Sequence, residues 1–253
     1  MAHSLDGRLA LGVGGSGGIG AASARLLAGA GARVVITHTA RSADAAASLA
    51  NSLPGAGHLA LPADVADTAS LLALRDAVRA RCGEELHVLV NAAGFTKPVP
   101  HANLYGLDDA LIDRMFAVNW RGQFAAIRTF APMLKASGNG LIVSISSIAG
   151  QTGIGSSIAY CAVKAGIDVM TKSLARALAP EIRVMGVAAG VVDTGFVPGR
   201  GSEFSAKTAA TTPLRRVATA EDVAEAVLAC ATSLPFSTGA TIVVDGGRSL
   251  GGS

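Results

Sequence analysis

Short, continuously apolar runs alternate along the chain with longer stretches in which apolar residues recur every three or four positions. The short runs, Arg8–Val13, Arg33–Thr37, His58–Leu61, Leu86–Asn91, Leu141–Ser146, Arg183–Ala188 and Thr241–Val244, predict about seven strands. The longer stretches predict helices near Ile19–Ala30, Ser42–Ser52, Thr68–Cys82, Leu107–Lys135, Ser157–Ala179 and Glu221–Thr232. Parallel strands covered by helices on both faces lose the polar alternation of half-exposed strands, and Val88-Leu89-Val90 and Ile242-Val243-Val244 read that way. The pattern predicts one doubly wound α/β domain of the Rossmann type over residues 1–253, its parallel sheet covered by helices on both faces. Pro180 ends the long helix before it, and Thr219 with Asp222 three residues on is placed to cap the last helix.

The segment Gly190–Pro213 breaks the rhythm. It is rich in Gly, Ser and Thr, carries two prolines and has weak periodicity, so it is either a substrate loop or a plain surface loop.

At 253 residues and 50% hydrophobic content the chain can bury a full core. The net charge of +3 is spread along the sequence, which argues against a nucleic-acid partner. Nothing approaches a membrane-spanning apolar run, and Met1–Gly7 lacks a leader pattern; the expectation is a cytoplasmic protein with no membrane partner. Cys82, Cys161 and Cys230 are odd in number and, like the five histidines, lack ligand spacing, so neither a disulfide framework nor a metal site is expected.

Gly14-Gly15-Ser16-Gly17-Gly18-Ile19-Gly20 follows the first strand and opens the first helix, a context in which backbone amides and the helix dipole hold a pyrophosphate. Gly14 permits the turn, Gly18 a close backbone approach and Gly20 close helix packing. With 31 glycines in the chain, a merely structural turn is the competing reading. The second strand ends in Thr37-His38-Thr39-Ala40-Arg41-Ser42 with no carboxylate to bind a ribose 2′-hydroxyl. Arg41 can instead meet a 2′-phosphate, which predicts NADP with NAD as the alternative; a solvated surface charge is the other reading of Arg41.

Tyr160 and Lys164 lie four apart in a helical stretch, hence on one face and about 6 Å apart along the axis. A cation beside a phenol favours phenolate and brings proton exchange toward neutral pH. Ser147 ends the run Ile145-Ser146-Ser147 at the carboxyl end of a strand, the edge where open α/β sheets bind ligands. Asn119 is a polar amide in an apolar helical stretch, which needs a hydrogen-bond partner or bends the helix.

Gly14 to Gly20, Asp64-Val65, Asn91-Ala92-Ala93-Gly94, Asn119, Ser147, Tyr160 and Lys164 together resemble the short-chain dehydrogenase/reductase family over almost the whole chain, in particular its 3-oxoacyl-(acyl-carrier-protein) reductase-like members. The resemblance implies that Tyr160 is the acid/base, that Lys164 lowers its pKa and binds the nicotinamide ribose, that Ser147 polarises the carbonyl and that Asn119 holds a relay water. It implies a dinucleotide lying along Gly14, Ser16, Gly18, Ile19, Gly20, His38, Arg41, Asp64, Val65, Asn91, Ala92, Gly94, Tyr160, Lys164, Gly190 and Val192. Three positions depart from the family pattern: Val13 where Thr is usual, Ala92 for the second Asn of the fourth-strand motif, and Ala189-Gly190 for Pro-Gly. Thr238-Gly239 through Asp245-Gly246-Gly247 resembles the family's last strand, which packs between subunits, and this implies a homotetramer.

The expected activity is hydride transfer between NADP(H) and a small-molecule carbonyl or alcohol, either a 3-oxoacyl thioester or a small apolar or cyclic ketone. Arg200, Glu203 and Lys207 either meet an acidic carrier or solvate the loop. The competing class is a binding protein that senses the dinucleotide without turnover, which replacement of Tyr160 by Phe separates.

Overall fold

The computed structural model describes residues 4–199 and 201–251. Seven parallel strands, β1 (Leu9–Val13), β2 (Arg33–His38), β3 (Leu59–Pro62), β4 (Val88–Asn91), β5 (Gly140–Ser147), β6 (Ile182–Ala189) and β7 (Thr241–Val244), form one sheet in the order β3-β2-β1-β4-β5-β6-β7. Strand order reverses between β1 and β4, which pair directly, so a crevice opens beyond their carboxyl ends. All seven strands lie where the apolar runs predict them, with ends shifted by a residue or two. β4, for instance, starts at Val88 because the Leu86 amide donates to the Met133 carbonyl instead of joining the ladder.

The helices are α1 (Gly18–Gly29), α2 (Ala43–Ser52), α3 (Thr68–Cys82), α4 (Asp109–Phe116), α5 (Gly122–Ala136), α6 (Ala149–Thr152), α7 (Ile158–Leu178), α8 (Ser202–Thr211) and α9 (Ala220–Thr232). The continuously apolar strands serve two cores. On β4, Leu89 joins a cluster with α3, α5 and α7, while Val88 and Val90 join one with α1, α2 and α9. Thr219 and Asp222 form the expected reciprocal cap of α9. At its other end the Arg183 guanidinium donates to the Cys230, Leu234 and Ser237 carbonyls.

Two expectations need correction. The helix over Leu107–Lys135 is interrupted, because Ala117–Arg121 winds as a π-turn between α4 and α5 around Asn119. Within Gly190–Pro213, ten residues form α8, which apolar periodicity could not reveal because only Thr208 on it is buried.

His87 ties β1 to the chain entering β4. Its Nδ1 accepts from the Leu9 amide at 3.1 Å, which requires an unprotonated nitrogen. Burial, and then Arg8, lower its pKa, outweighing Glu85 at 3.8 Å. Below its ordinary value of about 6.5 the unfolded chain therefore takes up more protons than the folded one, and stability declines as pH falls. Denaturation midpoints taken at about pH 7.5 and about pH 5.5 are expected to drop less for His87→Asn than for the natural chain; equal drops would contradict this assignment.

Candidate functional site

A cleft of about 1310 Å³ occupies the crevice beyond β1 and β4. The turn from β1 into α1 forms its floor. Gly14 has φ +78, and any side chain there would collide with the backbone of Ala92 and Ala93 at the end of β4. A side chain at Gly20 would strike the Gly14 carbonyl, so that glycine lets α1 start directly behind the turn. The Gly14 amide donates to Thr37 Oγ1 at 3.0 Å. A hydroxyl from β2 thus anchors the loop where Val13 cannot. The sequence signal for it is one hydroxyl closing the apolar run Val34-Val35-Ile36.

The first turn of α1 contains no acidic residue, and its N-cap, Gly17, makes no side-chain cap bond. Its amides and positive dipole end therefore face the cleft, which Ser16, Gly18, Ile19 and Gly20 line. Asp64 and Val65 line the next stretch, with Asp64 Oδ1 accepting from the Ala66 amide at 2.9 Å. His38 at the end of β2 and Arg41 just after it also line the cleft. Arg41 makes no hydrogen bond or ion pair with the described residues.

The other end of the cleft is assembled by β5, α6 and α7. Ser157 caps α7 by accepting from the Tyr160 amide at 3.2 Å, which places Tyr160 in the first turn and Lys164 one turn on. Gly150 lets α6 lie against α7, since any side chain there would meet the backbone of Lys164 and Ala165. Ser147, Tyr160 and Lys164 consequently line the same cleft. Lys164 is only 5% exposed; its Nζ donates to the Ile145 carbonyl at 2.7 Å and lies 5.6 Å from the centre of the Tyr160 ring. Burial pushes the Lys164 pKa down to about 8, with Asp168 opposing. Ser147 Oγ accepts from the Ala149 amide and donates to the Ala189 carbonyl, both at 3.2 Å.

Ala92, Gly94, Gly190 and Val192 also line the cleft, but two expected residues do not. Asn91, the last residue of β4, is wholly buried, and its side-chain amide has no hydrogen-bond partner among the described residues. Asn119 is buried too, its Oδ1 accepting from the Phe95 amide and its Nδ2 donating to the Phe95 carbonyl, each at 2.8 Å. The side chain is spent on fixing the loop after β4 and does not itself line the cleft. Spacing identifies a polar residue near a site but not which side of the backbone it faces.

The end of the cleft beside Tyr160 carries aromatic side chains that no local spacing predicts. Phe95, Phe196 and Phe204 wall it, and the Phe196 ring lies 6.2 Å from that of Tyr160. The segment 190–213 thus supplies a wall of the cleft through Thr194, Phe196 and Phe204. Of the charges noted on it, Arg200 lies outside the described residues, and Glu203 and Lys207 pair with each other at 3.9 Å away from the cleft. Cys161, next to Tyr160, is buried outside the cleft lining. Among the described residues no cluster of His, Cys, Asp or Glu suited to a metal occurs, and no helix is long and apolar enough to cross a membrane.

Comparison with known proteins agrees with this geometry. A family model described as enoyl-(acyl carrier protein) reductase matches residues 12–249. Cis-4-hydroxycyclohexanecarboxylate dehydrogenase of Sinomonas cyclohexanicum is 40% identical over 98% of both chains. The 3-oxoacyl-[acyl-carrier-protein] reductase of Escherichia coli is 32% identical over 96% of this chain and 98% of its own. A short-chain type dehydrogenase/reductase from Mycobacterium ulcerans superposes with a TM-score of 0.89 at 29% identity, over 99% of this chain and 92% of that one. Relatives named as dehydrogenases and reductases do not favour a role limited to sensing the dinucleotide. The chain belongs to the short-chain dehydrogenase/reductase family, as an oxidoreductase that transfers hydride between a nicotinamide cofactor and a carbonyl or alcohol substrate.

Proposed function

We propose that the protein is an NADP-dependent reductase or dehydrogenase of small cyclic carbonyl compounds and their alcohols, with Tyr160 exchanging the proton at the substrate oxygen. The observation that carries this reading is that Ser147, Tyr160 and Lys164 line one cleft with the glycine turn. That cleft suits a dinucleotide: an uncapped, acid-free helix start meets the pyrophosphate, and an uncommitted guanidinium stands at the end of β2 with no carboxylate on that strand to repel a 2′-phosphate. When bound, the cofactor supplies or accepts the hydride.

The chain's own residues do the rest. Tyr160 gives its phenolic proton to the carbonyl oxygen during reduction and takes it back during oxidation. The Lys164 ammonium favours the phenolate left behind. Ser147 turns its hydroxyl from the Ala189 carbonyl to the substrate oxygen and holds it beside the phenol. Asn119 positions Phe95, which with Phe196 and Phe204 gives the substrate side an apolar wall.

The aromatic wall and the ring alcohol named for the Sinomonas relative support a cyclic substrate. A 3-oxoacyl thioester, as named for the Escherichia coli relative, is the second reading. The proposal extends to a single domain working as a cytoplasmic homotetramer. Three free thiols suit a reducing compartment, and exposed Val169, Phe236 and Val243 suit burial between copies.

Cofactor choice is tested by Arg41→Ala. The KM for NADPH is expected to rise about 10- to 100-fold, the loss of one charge-assisted phosphate contact, while that for NADH stays within about twofold. A natural enzyme that prefers NADH tenfold would overturn the assignment.

A further inference from the structure

The charges lining the cleft are unbalanced. Among the described residues, Arg41, Arg114, Lys164 and Arg248 line it against a single carboxylate, Asp64, which is turned to the Ala66 amide. Three of these cations have evident work. Arg41 stands at the ribose end on the segment after β2, and Lys164 is buried beside Tyr160. Arg248 is held by α8, donating to Thr211 Oγ1 at 2.9 Å and to the Thr208 carbonyl at 3.3 Å. Arg114 is left over. Its side chain makes no hydrogen bond and no ion pair with the described residues.

Arg114 is solvent-exposed and rests against one aromatic ring. The Arg114 guanidinium lies 4.9 Å from the centre of the Phe95 ring. Asn119 clamps Phe95 through both its amide and its carbonyl, so the shelf under the guanidinium is rigid. The same wall runs on to the reacting phenol: the Phe196 ring reaches within 4.0 Å of where a Cβ on Gly94 would stand, and Phe196 in turn contacts Tyr160. A guanidinium resting on an aromatic face keeps the N–H groups on its edge, and those form a fork that matches a carboxylate.

We infer that Arg114 anchors a carboxylate carried by the substrate away from its reacting carbonyl, so that the natural substrate is an anionic ring ketone or the corresponding alcohol. This rests on the reductase reading above. Phe95 holds the guanidinium in place, Arg114 pairs with the carboxylate, and the aromatic wall covers the ring while its far carbon faces Tyr160.

Steady-state kinetics with NADPH on 4-oxocyclohexanecarboxylate and on neutral 4-methylcyclohexanone tests this. The natural enzyme is expected to favour the carboxylate at least about tenfold in kcat/KM, and Arg114→Gln to erase that preference through KM, with kcat and the neutral ketone unaffected. Arg114→Lys restores part of it, since a point charge attracts but does not fork. Added salt narrows the preference in the natural enzyme and not in Arg114→Gln. If both ketones are reduced equally well, or Arg114→Gln lowers both alike, the anchor is withdrawn and the reductase reading stands. If neither ketone is reduced, the cyclic-ketone reading fails and takes the anchor with it.

Discussion

Replacing Tyr160 with Phe is expected to lower kcat for ketone reduction about 100- to 10,000-fold while leaving the Kd for NADPH within about twofold. The chain has only two tyrosines, and the other, Tyr105, is fully exposed and outside the cleft, so no second phenol can take over. Phe keeps the ring that packs against Phe196 and removes only the hydroxyl. Stopped turnover with intact cofactor binding would locate the loss at proton transfer. Turnover close to that of the natural enzyme would remove Tyr160 from the mechanism, and an equal loss of NADPH binding would make it a structural residue.

Lys164→Met is expected to abolish reduction without destabilising the fold. Burial lowers the Lys164 pKa from 10.5 to about 8. Between those values the unfolded chain binds the proton and the folded chain does not, so this group's contribution to stability rises with pH across that window. Below about pH 8 both states are protonated and the full penalty of the buried ammonium, about 3 kcal/mol, is present. Met fills a similar volume without charge. It leaves the Ile145 carbonyl without its donor, a loss of about 1–3 kcal/mol that offsets part of the gain. The net expectation at neutral pH is a Tm equal to or a few degrees above that of the natural chain, and reduction lost. The same titration predicts that kcat/KM for reduction by the natural enzyme falls above about pH 8, as the ammonium beside the phenol is lost. A large drop in Tm for Lys164→Met would mean that the cation holds the fold together and would contradict its reading as a strained functional group.

The architecture was legible because its signal is local and repeated. Seven apolar runs without alternation could satisfy themselves only as strands covered on both faces, and the helices between them required the crossovers of a parallel sheet. The glycine turn, Ser147, Tyr160 and Lys164 were legible for the same reason: each follows from spacing within one element or from its place at a strand end. What depended on distant contacts was not. The bond from the Gly14 amide to Thr37, the commitment of Asn119 to Phe95 and the cation on Phe95 join residues 19 to 24 positions apart, and no periodicity records such pairs. Helix α8 is not legible because a surface helix that buries one threonine carries almost no hydrophobic pattern.

The most direct test follows the hydride with and without the phenol that supplies the proton. NADPH deuterated at either face of C4 is offered with a cyclic ketone to the natural enzyme and to Tyr160→Phe, and the alcohol is analysed by mass spectrometry. Deuterium on the carbinol carbon from one face only, formed by the natural enzyme and nearly absent with Tyr160→Phe, is the predicted result. Labelled alcohol formed equally fast by both proteins would contradict the assignment of the proton to Tyr160.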